Sequence, residues 1–147
     1  MQNDILMKFD EVIDHKKTLA FIYEDKRPEA SANDIAVIIS GILNWKKTWS
    51  ESDIDSYLKF YDKDFERYDG MSLENFKNMK RAIFSKKEKK HIAFSNFLIT
   101  PYPNLKNDKL FRVSFYEDYA ADTHKFAGQK TLYVKLYGDE MKIFIEE

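Results

Sequence analysis

Residues 45–65 read WKKTWSESDIDSYLKFYDKDF, and every fourth position is aromatic or acidic: Trp45, Trp49, Asp53, Tyr57, Tyr61 and Phe65. A four-residue step overshoots the helical period by about 40°, so five steps drift by roughly 200°. One straight helix cannot keep all six residues on one face. Ser50-Glu51-Ser52 offers a break, with Ser50 or Ser52 placed to cap a new helix ahead of Asp53 and Asp55. The expectation is two short helices meeting at an angle, the second carrying Ile54, Tyr57, Leu58 and Tyr61, and presenting an aromatic face to whatever lies beneath.

Upstream of this stretch, Ser31 can cap a helix with Ile35, Ile38, Ile39, Ile42 and Trp45 on one side. Downstream, Asp69-Gly70 marks a turn. Ser72 then caps a third helix with Leu73, Phe76, Met79, Lys80 and Ile83 in step, closing in the basic run Lys86 to Lys90. Beyond it the period changes to two. His91–Thr100, Leu110–Ala120, Gln129–Tyr137 and Met141–Glu146 read as four strands, separated by Pro101 to Asp108, Ala127-Gly128 and Gly138-Asp139. Helices followed by a meander define an α+β class: three N-terminal helices packed in a curved, mostly antiparallel sheet, because long antiparallel strands twist and curl. Residues 1–30 differ. Ile5, Phe9, Val12 and Ile13 suggest a short amphipathic helix, Leu19–Tyr23 one buried strand, and Lys26 to Glu29 a linker. The division expected is a tail of a preceding domain with its linker over 1–30, and one domain over 31–147.

Composition narrows the chemistry. With 147 residues, 44% hydrophobic and 33% charged, the chain has room for one core. A net charge of −1 argues against a nucleic-acid partner. The chain has no Cys, so thiol nucleophiles, thiolate metal sites and disulfides are excluded. His15, His91 and His124 have no ligand spacing, so no metal is expected, and four Gly without a phosphate-loop pattern suggest no cofactor. No run is long enough for a membrane span, and the charged N-terminus is unlike a signal peptide. The Lys86–Lys90 run suits a solvated helix end.

The strand parity carries the functional question. Phe111, Val113 and Phe115, then Leu132, Val134 and Leu136, then Met141, Ile143 and Ile145 share the core side; Glu117, Tyr119 and Lys130 share it too. A carboxylate and an ammonium there are costly unless they pair or line a wet cavity. Two readings follow. One is a pocket at the open end of the sheet, lined by Trp49, Tyr57, Tyr61, Phe115, Glu117, Tyr119 and Lys130. The other is a Glu117–Lys130 ion pair on the rim of an apolar interior.

The spacing W-x3-W-x3-D-x-D-x-Y-x3-Y-x3-F, carried by Trp49, Asp53, Asp55, Tyr57, Tyr61 and Phe65 with Phe60 between, resembles a nuclear transport factor 2-like (SnoaL-like) cone over roughly 31–147. Phe115, Glu117, Tyr119, Lys130, Leu132, Lys142, Ile143 and Glu146 carry the resemblance through the sheet. It is most similar to the version that follows the catalytic domain of bacterial L,D-transpeptidase-fold murein enzymes, whose linking segment resembles Val12 to Thr18. Glu117 stands where that family often has Gln, and Met141 where it often has Trp. The S-x-G-C-x-R catalytic motif is missing. The resemblance therefore implies a non-catalytic accessory domain in the periplasm or cell envelope, concerned with cell shape. Its implied partners are an upstream catalytic domain and a glycan or muropeptide ligand. Two other classes stay open. One is a homodimerisation module using the outer sheet face, where Tyr116, Tyr133, Lys135 and Tyr137 lie. The other is a small isomerase or hydrolase with Glu117 beside Tyr119 as general base, which a neighbouring Lys130 would keep ionised.

Overall fold

The computed structural model describes residues 30–104, 106 and 108–147. The helix expected near residues 5–13, the strand Leu19–Tyr23, the Lys26–Glu29 linker and the domain division at residue 30 lie outside the described residues. Helix α1 (Ala32–Ser50) starts where Ser31 accepts the backbone N–H of Asp34 at 3.0 Å. It buries Ile38, Ile42 and Trp45, while Ile35 faces solvent at 38% exposure. Asp34, buried beside this face, is held by Lys109 at 3.0 Å.

The break after Ser50 is real, and its details differ from expectation. Ser52 turns the chain in the left-handed region (φ 55°), and Asp53 rather than a serine caps α2 (Ile54–Leu58). That helix has only five residues, so Tyr61 is not on it. Tyr61 opens a strand, β1 (Tyr61–Arg67), which makes five strands among the described residues where four were expected there. The Tyr61–Phe65 spacing misleads because four residues are about one helical turn and also two strand pleats. Phe65 is buried with Tyr61 on the same side of β1.

Helix α3 (Leu73–Phe84) is capped by Ser72 at the N–H of Asn75. Its inner face holds Phe76 and Phe84, with Met79 and Lys80 partly covered and Ile83 exposed. The sheet continues with β2 (Lys90–Pro101), β3 (Leu110–Ala121), β4 (Lys125–Tyr137) and β5 (Glu140–Glu146) in the order β1-β5-β4-β3-β2. Among the described residues only the β1–β5 pair is parallel. Ala127-Gly128, expected as a turn, lies inside β4, and the reversal is at Asp122 to His124.

Bulges set what each face carries. In β2 the ladder shifts between Ser95 and Leu98 at Asn96 (φ 57°), so Phe94 and Phe97 both reach Phe115, with ring centroids 4.6 and 5.3 Å away. In β5 the ladder shifts between the Tyr133 and Val134 pairings. Ile143 opposes Val134 in the main core, but Ile145 opposes Tyr133 and packs in a second cluster with Tyr102, Leu110 and Phe144. Ile145 thus departs from the expected core parity. Tyr133 lies on the outer face as expected, yet it is buried there under Tyr102. Tyr116 and Tyr137 remain exposed, Lys135 pairs with Asp108, and Tyr137 donates to Asp62. The patch imagined as a dimer surface is therefore partly filled from within the chain.

Helix α1 crosses β5 closely at Gly41, where an added Cβ would sit 2.9 Å from Met141 Cβ and Sδ. Gly41→Ala is expected to force the two elements apart and cost about 1–3 kcal/mol, read as a fall in unfolding free energy in urea. An unchanged or raised midpoint would refute this close contact.

Candidate functional site

A cavity of about 390 Å³ opens between α3 and the end of the sheet formed by β3 and β4. Its lining includes Trp49, Tyr57, Glu117, Tyr119 and Lys130, five of the seven expected residues. The other two, Tyr61 and Phe115, are not among its lining residues and are almost wholly buried. Arg67, Lys80 and Glu146 join the lining without having been expected there. Register explains the convergence. Glu117 faces Phe94 and Gly128 across the two neighbouring strands, and Lys130 opposes Phe115 two residue pairs away, on the same face. Glu146 reaches the inner side because the β5 bulge places it opposite Leu132, while parallel β1 sets Arg67 beside it.

The polar tips of the aromatic ladder form a connected chain. Tyr61 Oη donates to Glu146 Oε1 at 3.2 Å and accepts from Trp45 Nε1 at 3.2 Å. With its single proton so committed, it takes the 2.8 Å bond to Tyr57 as acceptor, and Tyr57 donates. Lys130 Nζ completes the set at 3.6 Å from Glu146 Oε2. The ion pair expected between Lys130 and Glu117 is therefore made with Glu146 instead. Glu117, only 3% exposed, keeps a buried Oε1 with no hydrogen-bond partner among the described residues, and Arg67 Nε is in the same condition.

Burial and charge push these groups in different directions. Burial raises Glu117, and the nearby Glu146 adds to this against the opposing pull of Lys130 and Lys80. Glu117 is not the readily ionised carboxylate that a Lys130 pairing would make. For Glu146 burial also pushes upward, but Lys130, Lys80 and the Tyr61 hydrogen bond outweigh it and hold the group below the usual carboxylate value. Lys80 is lowered, first by burial, with Lys130 and Arg67 adding to the effect. Burial and the Glu146 charge raise Tyr57 and Tyr61, so both remain hydroxyl donors.

The aromatic faces are mostly occupied by one another. Trp49 stacks on Tyr119 at 5.0 Å and leans on Trp45 at 5.6 Å, and His124 lies 5.9 Å from the Tyr119 ring. The exposed apolar groups in the lining are Phe126 and Ile83. Thr123 donates to Glu88 and ties the β3–β4 turn to the loop after α3. A larger, shallower groove of about 690 Å³ runs between α1 and β5, lined by small and polar residues such as Ser40, Gly41 and Asn44. Among the described residues no cluster of His, Asp or Glu could hold a metal, and no helix is long and apolar enough to cross a membrane.

The pattern of the Cds6 C-terminal NTF2-like domain family matches residues 37–147. No curated protein sequence matches the chain. Among solved structures it is similar to a point variant of the helical cell shape determining protein Pgp2 from Campylobacter jejuni. That match is 46% identical, covers 77% of this chain and 40% of that one, and has a TM-score of 0.74. Bd1075 from Bdellovibrio bacteriovorus is 28% identical over 75% of this chain and 38% of its own, with a TM-score of 0.64. The chain thus spans about two-fifths of the length of either protein. An NTF2-like protein from Pseudomonas putida shares the fold at 11% identity and a TM-score of 0.64, covering 80% of this chain and 86% of that one.

The two carboxylates predict opposite responses. The folded state binds the Glu117 proton more tightly than the unfolded chain does. Its stability therefore falls as pH rises from the ordinary carboxylate range through the raised native value. Glu117→Gln lacks that loss, so its advantage over the native chain should grow as pH rises above the ordinary carboxylate range in paired urea titrations. A constant difference would refute the assignment. Glu146 is held low, so its contribution is present above the unfolded value and lost on acidification. Glu146→Gln should cost about 1.5–3 kcal/mol at neutral pH, and a neutral effect would show that the Lys130 and Tyr61 contacts are dispensable.

Proposed function

The chain belongs to the Cds6 C-terminal NTF2-like domain family, and from that premise we propose a non-catalytic accessory domain of a cell-wall protein that holds glycan or muropeptide in its cavity. The observation that carries the reading is a preformed concave site with fixed polar groups at its base and exposed apolar groups in its lining. Small-molecule sites have this character. Trp49 and Tyr119 are stacked on each other, so the apolar face of a sugar would rest on Phe126 and Ile83 instead. Lys80, Lys130 and Glu117 would fix the orientation of the polar parts. Pgp2, with which this chain shares 46% identity, is a helical cell shape determining protein. That likeness supports a role in cell shape and a place in the periplasm or cell envelope. The resemblance to domains that follow L,D-transpeptidase-fold catalytic domains supports an upstream catalytic partner. On this reading any bond-breaking belongs to that partner.

Adding purified muropeptides or chitooligosaccharides while following backbone amide shifts tests the proposal. Shifts should concentrate at Glu117, Tyr119, Phe126 and Lys130, and Lys130→Ala should weaken binding about tenfold, equivalent to about 1.4 kcal/mol. Silence at these amides with millimolar ligand would end this reading. A buried carboxylate with a raised pKa also suits a general base. Conversion of the added ligand to new products, abolished by Glu117→Gln, would move the domain into the isomerase or hydrolase class.

A further inference from the structure

Glu146 is fully provided for inside the protein, with Tyr61 on one oxygen and Lys130 near the other. Two opposite charges lining the same cavity are not. Glu117 presents a buried oxygen without a partner, although it is 97% withdrawn from solvent. Lys80 makes no hydrogen bond or ion pair among the described residues. Its ammonium lies over the rings of Phe76 and Tyr57 at 5.5 and 5.8 Å. These two charges do not pair with each other, though each is close enough to influence the other. Arg67, whose guanidinium pairs with Asp69 at 3.0 Å, adds one unmet donor, a buried Nε–H with no acceptor. Such groups are costly to leave unsatisfied, so a site that keeps them is complementary to what arrives.

The hydroxyls of a neutral sugar could hydrogen-bond to these groups, but they would leave the charges of Glu117 and Lys80 without counter-charges. A simple anion would serve Lys80 and Arg67 and be repelled by Glu117. A simple cation would do the reverse. A ligand group with both signs on neighbouring atoms serves all three. We infer that the cavity recognises a zwitterionic amino-acid group, with its free ammonium received by Glu117 and its free carboxylate by Lys80 and Arg67. The ligand class is therefore a peptide bearing an unlinked amino-acid end, such as the second centre of a diamino dicarboxylic residue. This rests on the ligand-binding reading above and specifies which part of a muropeptide enters. It also assigns Glu117 a specificity role that Gln, lacking the charge, could not perform.

The test uses four probes on the 147-residue chain, with dissociation constants measured by calorimetry and amide shifts. They are a disaccharide-peptide with a free diamino-acid end, the same compound N-acetylated at that end, the same amidated at its carboxylate, and the disaccharide alone. The free form should bind at least tenfold more tightly than either blocked form. Glu117→Gln should weaken the free form about tenfold and leave the acetylated form unchanged, erasing the preference for a free amine. Lys80→Met should erase the preference for a free carboxylate in the same way. Amide spectra and urea midpoints of both variants establish that they are folded. Equal binding of all three peptide probes, or of the disaccharide alone, would overturn this inference while leaving the cavity a ligand site. No binding by any probe would overturn both.

Discussion

The hydrogen bond from Tyr61 to Glu146 is the contact on which the rest of the arrangement depends. A carboxylate buried this deeply is unfavourable unless its oxygens are matched, and removing one partner exposes the full cost. Tyr61 donates to Glu146 while its lone pairs accept from Trp45 and Tyr57, so α1, α2, β1 and β5 are fastened at one oxygen. The aromatic ladder is thus a polar device as much as an apolar one. Its rings fill the core, and its edge atoms form the route by which a charge is stabilised at the cavity base. Lys130 reaches the same carboxylate from β4, so helices and sheet share a single electrostatic anchor.

Much of this was legible in the residues. Capping serines at 31 and 72, helical periodicity up to Trp45 and alternation from His91 onward all point to three helices and a curled sheet, and the structure agrees. The failures have definite causes. Strand β1 is short and charged, and its Tyr61–Phe65 spacing fits both periods, so a local pattern could not choose between them. Ala127-Gly128 has turn composition, but cross-strand pairing with Asp118 and Glu117 overrides it. Period-two reasoning carries Glu117, Tyr119 and Lys130 to the inner face correctly because β3 and β4 pair without interruption there. It fails for Glu146, beyond a bulge that nothing in Phe144-Ile145-Glu146 announces. Lys80 had a visible signal: it sits in step with Phe76 and Ile83 on an apolar helix face.

The site also shows why aromatic content is a poor guide to ligand contact. Trp49, the most conspicuous candidate, is flanked by Trp45 and Tyr119, and Tyr57 by Trp45, Tyr61 and Phe84. Their faces are occupied before any ligand arrives. Accessibility belongs instead to Phe126, an unremarkable residue near the start of β4. Which rings are free is a property of packing, and composition carries no trace of it.

The bulge in β5 has a consequence for how such domains can diverge. With the ladder in simple alternation, Ile145 would continue the inner row set by Met141 and Ile143, and Glu146 would point away from it. The cavity base would then be hydrocarbon, Tyr61 would lose its acceptor and Lys130 its counter-charge. Pairing of the same residues without the bulge would suffice to bring this about, with no change in the identity of either side chain. The choice between a charged receptacle and a sealed interior is therefore stored as strand register rather than as side-chain chemistry. Two relatives could keep every residue of the ladder and still differ in whether they have a binding site at all.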